Sequence, residues 1–193
     1  MRKFRFATGA LALAATLVVT SCGAVGEVAQ GVTDTTIKIG NAATMVGNAS
    51  FVGIPFNAGI KARIAHENKT KIDGREIEFI TYDDGGVAAQ GAQLVEKLVE
   101  DDEVFAIVGH FGTPTVGATL PYLRDKGIPM VYAATGINQL YFEESVGNPI
   151  FAVQPIYRIE GQLLVARALK ETDLFGTVDK IGVIYTTEDA GYS

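Results

Sequence analysis

Cysteine, histidine and positive charge are all scarce in this 193-residue sequence. The single cysteine, Cys22, leaves no partner for a disulfide within the chain. Neither of the two histidines has a cysteine or a second histidine at metal-ligand spacing, so we expect no metal site. Sixteen Lys and Arg against 22 Asp and Glu give a formal net charge of -6, which argues against nucleic-acid binding, because phosphates need clustered basic residues.

The sequence also lacks the motifs that mark common enzyme sites. No G-x-G-x-x-G follows the first predicted strand, and neither a Walker A sequence nor a nucleophile elbow is present. Asp83 and Asp84 are adjacent carboxylates of the kind used in acid–base chemistry, but we expect them to end a strand and cap the next helix. The sequence therefore predicts a protein without catalytic residues or a cofactor, with an α/β enzyme as the weaker alternative.

The N-terminus has the pattern of an export signal. Three basic residues among the first five precede an apolar run at 7–19 that is too short to span a bilayer. The Val-Thr-Ser-Cys sequence at 19–22 resembles a lipobox, the bacterial signal for cleavage before a cysteine that receives lipid. By this resemblance, 1–21 is a lipoprotein signal peptide, Cys22 carries the lipid and 22–35 is a tether. A buried thiol or an uncleaved anchor helix is the alternative interpretation.

Downstream of the tether, short apolar runs alternate with segments of helical periodicity. The apolar runs predict six strands, at 36–40, 77–82, 104–108, 130–133, 149–153 and 180–185. Helical stripes, N-terminal prolines and C-terminal glycines predict helices at about 55–68, 91–98, 113–126 and 159–170. This alternation indicates an α/β fold with an open, mostly parallel sheet and helices on both faces.

The last part of the sequence begins a new unit. Five predicted strands complete a small sheet by about residue 155, whereas one further helix and strand follow. A single βα unit cannot bury its own apolar faces. We therefore expect a complete first lobe at 36–155 and the truncated start of a second lobe at 156–193.

Several short stretches, in a fixed order, carry a resemblance to a known family. They are Lys-Ile-Gly at 38–40, Phe-Val-Gly at 51–53, Phe-Asn-Ala-Gly at 56–59, Tyr-Asp-Asp at 82–84, Ile-Val-Gly-His at 107–110, Gly-Ile-Pro-Met at 127–130, Ala-Ala-Thr at 133–135 and Ile-Tyr-Thr-Thr-Glu-Asp at 184–189. Together they resemble the periplasmic-binding-protein type I fold, in particular the leucine/isoleucine/valine-binding proteins of ABC transporters. The resemblance implies two Rossmann-like lobes, joined by a hinge, that close on a ligand.

The function that this resemblance implies is solute capture outside the cytoplasm. The expected ligand is a small amino acid, with branched-chain side chains favoured, and the expected partner is the permease of an ABC importer. We expect a monomer that contacts the membrane only through lipid on Cys22. A ligand-sensing domain of a receptor or regulator with the same fold is the alternative, and a lipid-anchored N-terminus weighs against it.

The expected site lies beyond the carboxyl ends of the strands, where open parallel sheets bind their ligands. The loop at 109–115 opens a helix, whose free N–H groups and positive end suit a carboxylate. Thr113 adds a hydroxyl there, although it could simply cap the helix. In the loop at 133–136, the Ala133 carbonyl could accept from an ammonium, and Thr135 could serve either charged group of an amino acid.

Further positions are assigned through the resemblance. Phe51 is implied to line the pocket, with burial in the core as the alternative. An aromatic contact from the second lobe is implied near residue 190, so Tyr192 is a possible ligand-binding residue. An acidic partner of the ligand ammonium is implied beyond residue 193. His110 follows a buried strand and is interpreted as a structural histidine next to the pocket.

Overall fold

The computed structural model describes residues 29–141 and 146–185, so Cys22 and Tyr192 lie outside the described residues. Its five strands pair in parallel in the order β2-β1-β3-β4-β5. The strands are β1 (Thr36–Ala43), β2 (Glu76–Asp83), β3 (Ala106–Val108), β4 (Met130–Ala133) and β5 (Ile150–Ala152). An open parallel α/β sheet is thus confirmed.

Five α-helices and one short 3₁₀ helix at Asn138–Leu140 connect or follow the described strands. The α-helices are α1 (Ser50–Glu67), α2 (Ala88–Glu100), α3 (Thr113–Lys126), α4 (Tyr157–Lys170) and α5 (Thr172–Phe175). Within the two described ranges, none of them is both long enough and apolar enough to cross a membrane.

The strand order places a topological switch point between β1 and β3. From β1 the chain passes through α1 to β2 on one side, and then returns through α2 to β3 on the other side. Because parallel crossovers are right-handed, α1 lies on the opposite face of the sheet from α2 and α3. The loops that leave β1 and β3 therefore diverge and open a crevice between them.

The core lies where α2 and α3 pack against the sheet and against each other. Of the apolar stripes predicted for these two helices, Val95, Leu98, Val116 and Leu123 are fully inaccessible, whereas Leu94 is partly buried. The wider cluster of buried side chains includes Val95, Leu98, Val104, Ile107, Leu120 and Met130. Gly127 ends α3 in the left-handed conformation, at φ 67°, as the glycine after Lys126 predicts. This packed layer fixes the positions of the loops at the sheet edge.

The segment between β1 and α1 differs from the prediction. β1 continues to Ala43 rather than ending at residue 40, and α1 begins at Ser50, five residues before the start of the helix predicted at about 55–68. The helix starts early because the Ala49 carbonyl already accepts hydrogen bonds from two N–H groups, those of Val52 and Gly53. Pro55 consequently lies inside α1 and not in its first turn.

The last predicted strand is also wrong. Residues 180–185 have no regular secondary structure, and among the described residues no strand pairs with them. A strand needs a neighbouring strand to complete its backbone hydrogen bonds, and none of the five described strands pairs with this segment. The predicted inward stripe of α4 is likewise uncovered, with Leu164 60% and Val165 41% exposed.

Candidate functional site

A cavity of about 280 Å³ lies at the carboxyl edge of the sheet, at the switch point. Its walls come from the loops that follow four neighbouring strands and from the start of α4. They include Thr44 after β1, Gly86 after β2, Phe111–Pro114 after β3, Ala134 after β4 and Tyr157. The sequence-based expectation that the loops after β3 and β4 meet at this edge is therefore confirmed.

The N-terminus of α3 points its first residues at this cavity. Gly112 is the N-cap, and Thr113 is the first helical residue, so the prediction that Thr113 caps the helix is wrong. Thr115 instead donates its hydroxyl to the carbonyls of Phe111 and Gly112, at 3.1 and 3.0 Å. Gly112 has φ 114°, a conformation that side chains with a Cβ rarely adopt. The Thr113 hydroxyl is thus free to serve another role.

That hydroxyl meets the other predicted threonine. Thr113 Oγ1 and Thr135 Oγ1 lie 2.8 Å apart, although the two residues come from different loops. Thr135 is fully buried, and Thr113 is 9% exposed. The pair therefore forms one hydrogen-bonded unit, with Thr113 in the cavity wall and Thr135 behind it. It lies beside the N–H groups that a helix leaves without intrahelical partners.

Tyr157 extends this unit and was not predicted. Its hydroxyl accepts from Thr135 Oγ1 at 3.5 Å, and its backbone N–H donates to the Gly136 carbonyl at 2.7 Å. Burial raises the pKa of the Tyr157 phenol, but hydrogen bonds from Thr135, Thr113 and the Gly136 backbone outweigh burial and hold the pKa below its usual value. The helix predicted from the sequence starts at residue 159, two residues too late to include Tyr157.

Three of the predicted ligand-binding residues do not line the cavity: Phe51, Ala133 and the fully buried Thr135. Ala133 is the last residue of β4 and is fully buried, whereas the next residue, Ala134, forms the wall. Phe51 lies in the first turn of α1 with its side chain 78% exposed, so the alternative of a core phenylalanine is wrong. Ala49 contributes to the wall two residues before it.

A buried carboxylate supports the floor of the cavity. Asp84 Oδ1 accepts from the Thr44 hydroxyl at 3.0 Å and from the Gly86 N–H at 2.9 Å. Asp84 does not cap α2, whose N-cap is Val87 without a side-chain hydrogen bond, so that expectation is wrong. Thr44 was not predicted as a site residue, because the predicted first strand ended at residue 40 and not at Ala43. The carboxylate therefore joins the loops after β1 and β2.

His110 lies beside this floor and is fully buried. Its Nδ1 is 2.6 Å from the Ala42 carbonyl, which assigns the proton to Nδ1 in the neutral ring. Burial lowers the pKa of His110, and the Ala42 carbonyl and the charge of Asp84 offset this only in part. Within the described ranges, no group of three His, Cys, Asp or Glu side chains is arranged to hold a metal ion. His110 thus fits the structural role.

Most of the chain matches one known protein family. A sequence model described as periplasmic binding protein matches residues 36–193. The chain belongs to this family. Its open parallel sheet is the type I fold of periplasmic binding proteins, as the resemblance implied. No curated protein matches the sequence.

Solved structures of other periplasmic binding proteins resemble this one. A possible leucine/isoleucine/valine-binding protein from Rhodopirellula baltica SH 1 is 27% identical with a TM-score of 0.63, over 70% of this chain and 36% of that one. The leucine-binding protein LivK from Thermotoga maritima MSB8 is 25% identical with a TM-score of 0.60, over 71% and 38%.

A third related structure has a different ligand. It is a solute-binding protein of an ABC transporter from R. palustris in complex with 4-hydroxybenzoate, 25% identical with a TM-score of 0.64, over 81% of this chain and 40% of that one. This periplasmic binding protein chain thus spans less than half the length of the solved structures that it matches.

Proposed function

We propose that the chain is part of the solute-binding component of an ABC importer and captures a small amino acid, with branched-chain side chains favoured. The observation that supports this most is the Thr113–Thr135 hydroxyl pair, 2.8 Å apart at the N-terminus of α3 and beside the cavity. Family membership favours a binding role outside the cytoplasm over catalysis.

The acid group of the ligand would bind at α3. The first N–H groups of a helix have no intrahelical partners, and the helix dipole adds positive potential at this end. A carboxylate can be held there without a lysine or arginine, and the cavity wall formed by the described residues contains neither. The Thr113 hydroxyl and the Thr135 backbone N–H would supply two more donors.

The remaining contacts follow from the same pose. The Thr135 hydroxyl would accept from the ligand ammonium, and the exposed Phe51 ring would offer an apolar surface next to Ala49, at the margin of the cavity. An acidic partner for the ammonium would come from a second lobe. We assign 36–155 to the first lobe and 156–193 to the start of the second, with Tyr192 as a possible contact. Ligand contacts to both lobes would stabilise the closed form.

Two of the related structures support an amino-acid ligand. The R. baltica protein is a possible leucine/isoleucine/valine-binding protein, and the T. maritima protein is a leucine-binding protein. The R. palustris protein was solved with 4-hydroxybenzoate, so aromatic carboxylates are the second candidate class. Both classes carry a carboxylate, which is the group that α3 and the two threonines suit.

The same function requires a location outside the cytoplasm. Cys22 would carry the lipid anchor after removal of 1–21, and 22–35 would tether the first lobe to the membrane. A diacylated cysteine buries enough CH₂ groups for stable anchoring. A monomer that delivers its ligand to the permease of the importer completes this proposal.

Isothermal titration calorimetry on the full-length mature protein tests the ligand class. We expect saturable binding of leucine, isoleucine or valine and much weaker binding of glutamate, because the described cavity wall offers no Lys or Arg to pair with a second carboxylate. If 4-hydroxybenzoate bound and none of the amino acids did, the proposed ligand class would change from amino acids to aromatic acids. Tight binding of NAD, ATP or flavin, with no binding of any acid, would contradict a solute-binding role.

A further inference from the structure

We propose that Tyr157 is a ligand-binding residue, whose hydroxyl donates to the acid group of the ligand beside Thr113 and Thr135. This inference rests on the proposed function and adds a third hydroxyl to its site. Tyr157 is the first residue of α4, and its side chain forms part of the cavity wall, so a ligand in the cavity would lie against it.

The position of the phenol is fixed by its own backbone and by a glycine. The Tyr157 N–H donates to the Gly136 carbonyl at 2.7 Å. The ring passes so close to Gly136 that a Cβ there would lie 2.7 Å from Cδ1 and 2.8 Å from Cε1. The phenol therefore has little room to retreat from the cavity when a ligand enters. The phenol would therefore remain in place and contact the ligand, and the ligand would not displace it.

The hydrogen bonds around the phenol indicate what it recognises. Thr135 Oγ1 lies 3.5 Å from the Tyr157 hydroxyl and 2.8 Å from Thr113 Oγ1, so three hydroxyls form a chain at the cavity. The 3.5 Å contact is at the long limit of a hydrogen bond, and little is lost when it is exchanged for a shorter one. A ligand carboxylate at the α3 N-terminus would accept from the Thr113 and Tyr157 hydroxyls with charge-assisted hydrogen bonds.

This arrangement favours a carboxylate over its neutral amide. A carboxylate has two oxygens that only accept, and the hydroxyls of Thr113 and Tyr157, which line the cavity, can turn to donate to them. An amide replaces one of these oxygens by a donor and carries no charge, so it gains less from the hydroxyls and from the helix dipole. Tyr157 would therefore contribute to selection of the acid, whichever side chain the ligand carries.

The test compares Tyr157→Phe with wild type by calorimetry, in the full-length protein, with leucine and with 4-hydroxybenzoate. We expect the dissociation constant of the acid that binds wild type to rise about tenfold in the variant, because one hydrogen bond to a charged group is lost. Tyr141→Phe is the matched control. Its hydroxyl donates to the Gln154 carbonyl at 2.6 Å, and Tyr141 does not line the cavity, so affinity should not change.

Gly136→Ala provides a second, independent variant. Its methyl group would lie 2.6 Å from the Pro155 carbonyl oxygen as well as against the Tyr157 ring, so the start of α4 would have to shift together with the phenol. We expect weaker binding of the same acid, while circular dichroism reports an intact fold. Unchanged affinity in folded Tyr157→Phe would overturn the role of Tyr157 and leave the proposed function intact. Absence of binding of any acid to wild type would overturn both proposals.

Discussion

Asn41 donates a hydrogen bond from Nδ2 to Asn57 Oδ1 at 2.8 Å, which joins β1 to α1 across the face of the sheet. Both side chains are almost completely buried, at 0% and 2% exposure. Asn41 Nδ2 also donates to the Gly109 carbonyl at 3.0 Å, in the loop that leads to α3. The Asn41 oxygen accepts from the Thr81 hydroxyl at 2.7 Å. One amide thus connects three elements at the edge of the sheet that carries the cavity.

Replacement of this amide should therefore be costly. In Asn41→Ala the side chains of Asn57 and Thr81 and the Gly109 carbonyl lose a partner in the interior, and we expect a loss of about 3 kcal/mol in the free energy of unfolding. Urea denaturation measures it. Asn148→Ala is the control, because Asn148 Oδ1 accepts one hydrogen bond, from Ile150 at 3.1 Å, and its loss should cost about 1 kcal/mol. Equal losses in the two variants would contradict the role of the network.

Thr135→Val tests the hydroxyl pair directly. The substitution keeps the volume and removes the oxygen that lies 2.8 Å from Thr113 Oγ1, so we expect affinity for the ligand to fall about tenfold or more with the lobe still folded. Thr119→Val is the matched control, since Thr119 is equally buried and donates to the Val116 carbonyl at 2.8 Å, within α3. If calorimetry gave the same affinity for Thr135→Val and wild type, Thr135 would not belong to the site.

Gly112→Ala should impair both stability and binding. Gly112 has φ 114°, and an added Cβ would lie 2.8 Å from Thr115 Oγ1, so backbone strain and a steric conflict act together at the N-cap of α3. We expect a loss of about 1 to 3 kcal/mol in unfolding free energy together with weaker ligand binding. In Gly127→Ala, at φ 67° with open space around the Cβ position, about 1 kcal/mol should be lost without a change in affinity. Equal affinity in both variants would argue against a ligand at α3.

His110 predicts a pH dependence of stability. Its pKa lies below the ordinary value of 6.5 in the folded protein because of burial. The unfolded chain therefore binds a proton first as the pH falls, so stability is fully present above about pH 6.5 and decreases below it. Urea denaturation between pH 7.5 and 5.5 should show this decrease, with a slope of up to about 1.4 kcal/mol per pH unit. This pH slope should become smaller in His110→Gln. It should persist in the control His66→Gln, because His66 lies on the exposed surface of α1. If His110→Gln left the slope unchanged, the pH dependence would not come from His110.

The lipid anchor can be tested without knowledge of the ligand. Cys22 is the only cysteine of the sequence, so labelling with radioactive palmitate should be abolished in Cys22→Ala. Globomycin, which inhibits processing at a lipobox, should cause the uncleaved precursor to accumulate. Undiminished labelling of Cys22→Ala would show that lipid is attached elsewhere.

The sequence predicted those parts of the fold that local patterns determine. The stripe of α3, with Val116 and Leu123 facing inward, and its end at Gly127 follow from periodicity and from the freedom of glycine at positive φ. The parallel order of the strands followed from their alternation with helices. The strand expected at 180–185 failed because a strand also needs a partner, and the patterns of that segment alone cannot supply one.

The candidate site was also predicted only as far as local patterns reach. The sequence placed Thr113 and Thr135 at the ends of neighbouring strands, and their loops do meet. The contact of Tyr157 with Gly136 depends on tertiary packing between α4 and the loop after β4, which no periodicity reports. Thr44 was missed for a local reason, because small residues extend β1 beyond its apolar alternation.

The switch-point arrangement places the residues of the cavity wall and the residues of the hydrophobic core in different parts of the chain. The cavity walls belong to loops that leave the sheet, whereas the tightly packed layer of α2 and α3 lies behind them. For the proposed solute-binding function, substitutions at a few edge residues would therefore change ligand preference without repacking the hydrophobic core. Variation among homologues with different ligands should concentrate at those edge positions.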